Sequence, residues 1–389
     1  MRNEHVDVLI LGGGAAGHSA AQAVRECGED TSILMISQEE AILRPLLTKA
    51  SLRQAGGVPL RMAEEAWYRD RRIEWRKETV KGIFPERHCA ETETARIFYH
   101  KCIYALGSEP FLPSFPGNGL DGVFTLRSAD DIAAIKRRLL CTKDAVVIGG
   151  GVVGVEAGEL LAEYGVGVTI LESQRWMMPR VLDRATAEEY RRRLGIRVET
   201  GVTIERLTGD RSVTGAALAD GRTIPCRMVI ISCGVRANTE LALSSGLDVR
   251  RGVVVSERME TSAPGVYACG DCTEYQGECP ALWRTAREQG RVAGLNACGR
   301  NGSYKAVPSP ILFYSKGAPL FALGDLSEGK GRRIETARTS LERPFLVAPR
   351  QGEAYSRMVY SGERLIGAAL VGDLSAMSEL QQQITGEAE

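Results

Sequence analysis

Neither sign of charge prevails in this chain. Lys plus Arg and Asp plus Glu each number 49 among 389 residues, so the formal net charge is zero. That excludes a broad electrostatic footprint for nucleic acid or for an anionic membrane, and leaves only local basic patches. Long apolar runs are missing as well. The stretch after Met1 offers only VDVLIL before glycines begin, too short for a signal-peptide core or a membrane span, and nothing later is long enough either. The expectation is a cytoplasmic protein with no membrane partner. Low-complexity tracts are absent from a composition that is 44% hydrophobic and 25% charged. Such a chain is long enough for two or three domains, each with its own core.

Cysteine is not scarce, but a role in disulfides is. A chain of this size needs no covalent staples, and most of its ten cysteines sit in apolar or strand-like surroundings. Reduced thiols are the better reading. Cys269-Gly-Asp-Cys272 with Cys279 leaves two readings open: a metal site, or a nucleotide loop that happens to carry thiols. A closed metal site wants four placed ligands, so no metal is expected.

What is present is one pattern written twice. LILGGGAAG (9–17) and VVIGGGVVGVE (146–156) each run from a short apolar strand through glycines into a helix. Both fit G-x-G-x-x-G: Gly12, Gly14 and Gly17, then Gly149, Gly151 and Gly154. The first glycine permits a tight turn, the second lets a pyrophosphate approach the backbone, and the third lets helix and strand pack closely. The helix start, Ala15-Ala16 in one copy and Val152-Val153 in the other, then offers free N–H groups and partial positive charge. A single such loop is a weak signal. Two, each between a predicted strand and a predicted helix, are not.

The copies differ at the end of the following strand. Glu172 closes VGVTILE about twenty positions after Gly149. A carboxylate there accepts from ribose hydroxyls and repels a 2′-phosphate, favouring NADH; nearby Arg175 leaves NADPH as the lesser option. The first copy ends MISQEE, so Ser37 and Gln38 stand where an acid is expected, and Glu39 follows as the candidate ribose ligand. Two cradles in one chain point to one dinucleotide held permanently and one exchanged, which is the arrangement of a bound flavin visited by a nicotinamide.

Alternation of strand and helix around both loops predicts parallel, doubly wound sheets. Helices are expected from about Ala15 to Cys27, over VEAGELLAEYG, and from about Trp283 to Gly299. The Pro- and Gly-rich SEPFLPSFPGNGLDG (108–122) reads as a crossing between domains. From Asn301 onward the texture suggests a smaller, mostly antiparallel domain closed by a helix near Met377–Ile384. The fold class is therefore α/β, two Rossmann-like dinucleotide domains with a small α+β C-terminal domain.

In order, LILGGGAAG, LRPLLTKA (43–50), YALGSEPFLP (104–113), FTLRSADD (124–131), VVIGGGVVGVE, VIISCGVRAN (229–238) and VYACGDCTE (266–274) resemble the FAD- and NAD(P)H-dependent pyridine-nucleotide oxidoreductases. Within them the chain is most similar to the NADH:rubredoxin oxidoreductase branch. The resemblance implies a nicotinamide domain (111–235) inserted into an FAD domain (1–110 and 236–302), with a C-terminal domain over 303–389. It implies Arg127 at the FAD pyrophosphate, Val80 at the adenine, Gly270-Asp271 at the ribityl and phosphate portion, and Trp283 against the isoalloxazine. Arg44, Pro45, Ala105, Gly107 and Gly234 fall in the same cofactor-binding motifs. Lys49 would lie near flavin N5 with Glu156 as its carboxylate partner, the alternative being a solvated helix lysine. His18, inside a tightly packed helix start, reads as structural.

Relatives that reduce disulfides or peroxide carry a cysteine beside the flavin, and AILRPLLTKASLRQ (41–54) has none. Without that thiolate the electrons have no covalent relay to a sulfur substrate. The implied outlet is a small, acidic iron–sulfur carrier such as rubredoxin. The alternatives are dioxygen, as in an NADH oxidase, or service as the flavoprotein component of a nitrite reductase-type system. Candidate docking charges are Arg69, Arg71, Arg72, Arg76 and Lys77, with Arg287, Arg291, Arg332 and Arg333. The chain is expected to act as a monomer or a homodimer.

Overall fold

Apolar runs of four or five residues, buried on both faces, become the central strands of two parallel sheets. The structure, a computed structural model, describes residues 2–48, 60–314, 318–340 and 353–386. Its chain divides into two compact units, Met1–Phe111 with Val235–Ala306, and Leu112–Gly234 with Val307–Glu389.

In the first unit the strands Ile73–Lys77, Ile33–Ser37, Arg2–Leu11 and Ala95–Tyr104 run parallel in that order, with Val266–Ala268 beside the last of them. An antiparallel meander, Val80–Phe84 and Cys89–Thr92, extends the edge. VDVLIL is thus the buried half of a ten-residue strand. Arg2–His5 are added because they pair with Ala95–Phe98, a partner invisible to local pattern. Register places the site: Leu11 lies opposite Tyr104, and Tyr104 opposite Ala268. The residues that follow, Gly12, Ala105 and Cys269, therefore share the carboxyl edge of the sheet, where parallel α/β sheets bind ligands.

Two helices pack side by side over this sheet, Ala15–Cys27 and Trp283–Ala297. Their seam needs glycine. A Cβ at Gly290 would come within 2.2 Å of the Ala16 carbonyl oxygen, and one at Gly294 within 2.5 Å of that of Ala20. Small residues facing backbone in this way bring the two axes unusually close.

In the second unit Arg197–Thr200, Gly167–Glu172, Asp144–Ile148, Met228–Ile231 and Val123–Phe124 form a five-stranded parallel sheet. A three-stranded antiparallel sheet (Ile204–Thr208, Gly215–Leu218, Thr223–Pro225) accompanies it. The helix Ala129–Leu139 starts with a capping box, Ser128 and Asp131 each satisfying the other's backbone N–H. The last part of the chain builds a five-stranded antiparallel sheet, ordered Ile311–Phe313, Leu320–Gly324, Arg364–Val371, Glu353–Ser361, Arg332–Ser340. The helix Met377–Thr385 packs its Leu380 and Ile384 into that sheet's apolar cluster. The expected crossing segment opens as a strand, Ser108–Pro110, antiparallel to Val235–Ala237. Among the described residues, no helix is long and apolar enough to cross a membrane.

Candidate functional site

Gly12 and Gly149 hold the same turn, with φ of +109° and +106°. Both are shut in by a carbonyl. A Cβ on Gly12 would sit 2.1 Å from the Ala105 oxygen, and one on Gly149 2.2 Å from the Ser232 oxygen. A Cβ on either third glycine, Gly17 or Gly154, would lie 2.0 Å from the carbonyl oxygen of the first. The middle glycines are different. A Cβ on Gly14 or on Gly151 would meet nothing within 4 Å among the described residues. Each middle glycine is also the N-cap of its helix, with no side-chain cap and no acid in the first turn. First-turn N–H groups at Ala15, Ala16 and Gly17, and at Val152, Val153 and Gly154, thus precede the first helical bonds, which reach Gly14 and Gly151 from His18 and Val155. An open face over glycine, ringed by N–H groups without a competing carboxylate, fits a dinucleotide pyrophosphate.

The second cradle carries its carboxylate ready positioned. Glu172 is 8% exposed, and its side chain accepts from the Gly150 N–H at 2.7 Å and the Gln174 N–H at 2.8 Å. Gly150 is small because Glu172 lies against it: a Cβ there would meet the Glu172 Cβ at 3.1 Å. In the first cradle the same relation joins Gly13 to Ser37, also at 3.1 Å. Ser37 is therefore the spatial counterpart of Glu172. Its hydroxyl donates to the Glu39 carbonyl at 2.8 Å, and the Glu39 carboxylate is ion-paired with Arg44, which opens the short helix Arg44–Leu46 with Pro45. Gln38 lies exposed between them.

His18 is the one titratable side chain built into the start of either cradle helix. Burial pushes it down to about 4, and its ring stacks near Trp67, with Nε2 2.8 Å from the Tyr68 hydroxyl. It is a neutral packing group.

Around the first cradle the structure gathers Ala105, Gly107, Gly270 and Asp271. Ala105 donates to Leu11 across the sheet edge, and Gly107 accepts from Asn238. Gly270 faces Ala16, and its N–H donates 2.8 Å to Gln289, which also accepts from Thr273. Asp271 accepts from Ser108 at 2.9 Å. Val80 is buried in the same core, and Trp283 opens its helix with no acid in the first turn. Gln289 carries no signal in those motifs; only the packed chain reveals that it fixes the Gly270 loop. Arg127, Glu156 and Gly234 belong to the second unit. The Arg127 N–H donates to the capping Asp131 at 2.8 Å, and Gly234 has φ +95°. Lys49 lies outside the described residues.

Cys269 and Cys272 are fully buried thiols. Burial holds Cys269 well above the ordinary range and pushes Cys272 up to about 12, and Cys272 bonds to the Cys269 carbonyl at 3.2 Å. Neither can serve as a thiolate. Cys233 lines the second cradle beside Gly149, its thiol pushed up to about 11 by burial and by Glu172. The candidate docking charges are largely spoken for. Arg76 pairs with Glu4 and Glu74, Arg69 with Asp70, Arg291 with Glu288, Arg332 with Asp325 and Arg333 with Glu335, while Arg71 lies over the Trp67 ring.

Residues 6–290 match the family described as pyridine nucleotide-disulphide oxidoreductase. The chain is 30% identical over 385 residues to the NADH-rubredoxin oxidoreductase of Clostridium acetobutylicum, covering 97% of this chain and 94% of that one. It is 28% identical to the nitrite reductase [NAD(P)H] of Bacillus subtilis over 98% of its own length, but spans only 47% of that protein. Among solved structures, a ferredoxin reductase of Rhodopseudomonas palustris superposes with a TM-score of 0.85 at 26% identity, covering 97% of this chain and 95% of the other. The chain thus belongs to the pyridine nucleotide-disulphide oxidoreductase family and is an FAD- and NADH-dependent flavoprotein oxidoreductase.

Proposed function

We propose that this chain passes electrons from NADH to a small iron–sulfur carrier such as rubredoxin, with the first unit holding FAD and residues 112–234 holding the nicotinamide. The observation that carries the choice of acceptor is the cysteine-free segment 41–54, taken with the burial of Cys269 and Cys272 as neutral thiols. A disulfide or peroxide substrate needs a thiolate relay, and these residues do not supply one. The rubredoxin reductase similarity over nearly the whole of both chains supports the same reading.

Bound FAD supplies the conversion of a two-electron hydride donor into single electrons for a carrier. The chain's residues bind and orient. First-turn N–H groups after Gly14 and Gly151 hold pyrophosphates; Glu172 takes the ribose hydroxyls and disfavours a 2′-phosphate. Trp283 and the helix start behind it face the ring with positive dipole. Lys49, Glu156 and Arg127 keep the roles that the family resemblance implies for them. Monomer and homodimer both satisfy this reading.

Stopped-flow mixing tests it. Protein reduced anaerobically by NADH should transfer to a rubredoxin at least tenfold faster than to dioxygen. Oxygen uptake as fast as carrier reduction sinks the carrier reading in favour of an NADH oxidase. Transfer only to a siroheme-bearing partner protein would favour the nitrite reductase role.

A further inference from the structure

The two helices that frame the first cradle run alongside each other in steps of one turn. Ala16 faces Gly290, and Ala20 with Ala23 faces Gly294. One turn further, the seam ends in sulfur. Cys298, the C-cap of Trp283–Ala297, points its thiol toward the Val24 carbonyl at 3.9 Å and lies within hydrogen-bonding reach of the Cys27 thiol, the last residue of Ala15–Cys27. Both cysteines are partly exposed, unlike Cys269 and Cys272. The turn after Cys27 is fixed, because Arg25 donates to the carbonyls of Gly28 (2.9 Å), Glu29 (2.5 Å) and Thr31 (2.9 Å). The end of Ala15–Cys27 is therefore anchored where the two thiols meet.

We infer that Cys27 and Cys298 form an oxidation site, a dithiol that a peroxide converts to a disulfide joining the C-terminal ends of the two helices. The pair is chemically unequal. Burial, and then the charge and hydrogen bond of Cys27, hold the Cys298 thiol up at about 12, so it stays protonated and donates to Cys27. Cys27 attacks first: its sulfur bonds to one peroxide oxygen, the O–O bond breaks, and the other oxygen leaves as water with the thiol proton. Cys298 then attacks the resulting sulfenic sulfur. The S–S bond forms, the S–O bond breaks, and a second water departs. The thiols lose two electrons and two protons, and the peroxide gains them. Hydrogen peroxide is the two-electron product of dioxygen, so a flavoprotein of the proposed function, idling without its carrier, generates the oxidant that reaches this site by diffusion.

The test uses the purified holoprotein, reduced, desalted and treated with one equivalent of hydrogen peroxide. Peptide mass spectrometry should find the Cys27 and Cys298 peptides linked, lighter by two hydrogens, and separated again by dithiothreitol. In Cys298→Ser the sulfenic acid should persist on Cys27 and be trapped by dimedone. In Cys27→Ser, Cys298 should stay unmodified. Cys27 and Cys298 recovered unlinked from treated wild-type protein, or linked to other cysteines, overturn the proposal, and this readout does not depend on the variants folding.

Discussion

The two glycine cradles are one device with two endings. Turn angle, enclosing carbonyl and open face over the middle glycine agree closely between Gly12–Gly17 and Gly149–Gly154. Each helix starts uncapped, and each first glycine donates to the neighbouring strand, Gly12 to Ile36 and Gly149 to Leu171. At the strand end they part, with Glu172 in the second and Ser37 in the first. The lesson is that phosphate binding is a property of backbone shape, whereas choice among dinucleotides is left to a side chain at the strand end. On the proposed reading a permanently held cofactor has little need of that side chain, because loops such as Ala105–Gly107 and Gly270–Asp271 lie beside the same cradle. An exchanging one has to be recognised each time it arrives.

The sharpest way to break this comparison is to add a methyl where each turn is most enclosed. Gly12→Ala must move a carbonyl and hold alanine at a positive φ, costing at least ~3 kcal/mol. The variant should come off a column without flavin. Gly149→Ala should retain flavin absorbance and lose saturable NADH reduction. Identical losses in both variants would dissolve the distinction between the cradles.

A second difference can be read by pH. The first cradle has His18 where the second has Val155. Burial lowers His18 from 6.5 to about 4. The unfolded chain therefore binds the proton more readily between those values, and stability should fall as pH drops from 6.5 toward 4, then level off. The effect reaches at most about 3.4 kcal/mol, from 1.36 kcal/mol for each unit. Urea melts followed by flavin fluorescence should show this slope, and His18→Gln should flatten it. An equally steep slope in the variant would assign the acid sensitivity to other groups.

Glu172→Gln keeps the shape and removes the charge. kcat/KM for NADH should fall about tenfold, which is 1.4 kcal/mol, while NADPH gains relative to it. Ser37→Ala should be the mildest change, altering FAD retention by less than roughly 1 kcal/mol. A large loss of flavin in Ser37→Ala would show that the first cradle also depends on its strand-end side chain.

Much of this was legible in the sequence. Helix Ala15–Cys27 and both glycine turns follow from local rules: apolar strand, glycine at fixed offsets, helix-forming residues after. The antiparallel C-terminal sheet followed likewise from its alternating segments and turns. What escaped local reading depends on partners distant in the chain. The sequence left Ser37 and Gln38 together at the acid's place, and the contact with Gly13 singles out Ser37 as the counterpart of Glu172. Gln289 holds Gly270 from a different element, and Cys233 enters the second cradle only through strand pairing of Ile231 with Ile148. Arg76 is paired with Glu4, a partner 72 positions away that no local pattern shows.

The most direct test of two cradles for two dinucleotides is an anaerobic titration of the desalted protein with NADH, followed at the flavin band. The account requires one FAD per chain to survive desalting and to be bleached fully by one equivalent of NADH. A colourless protein, or a yellow one that neither NADH nor NADPH bleaches, would contradict it.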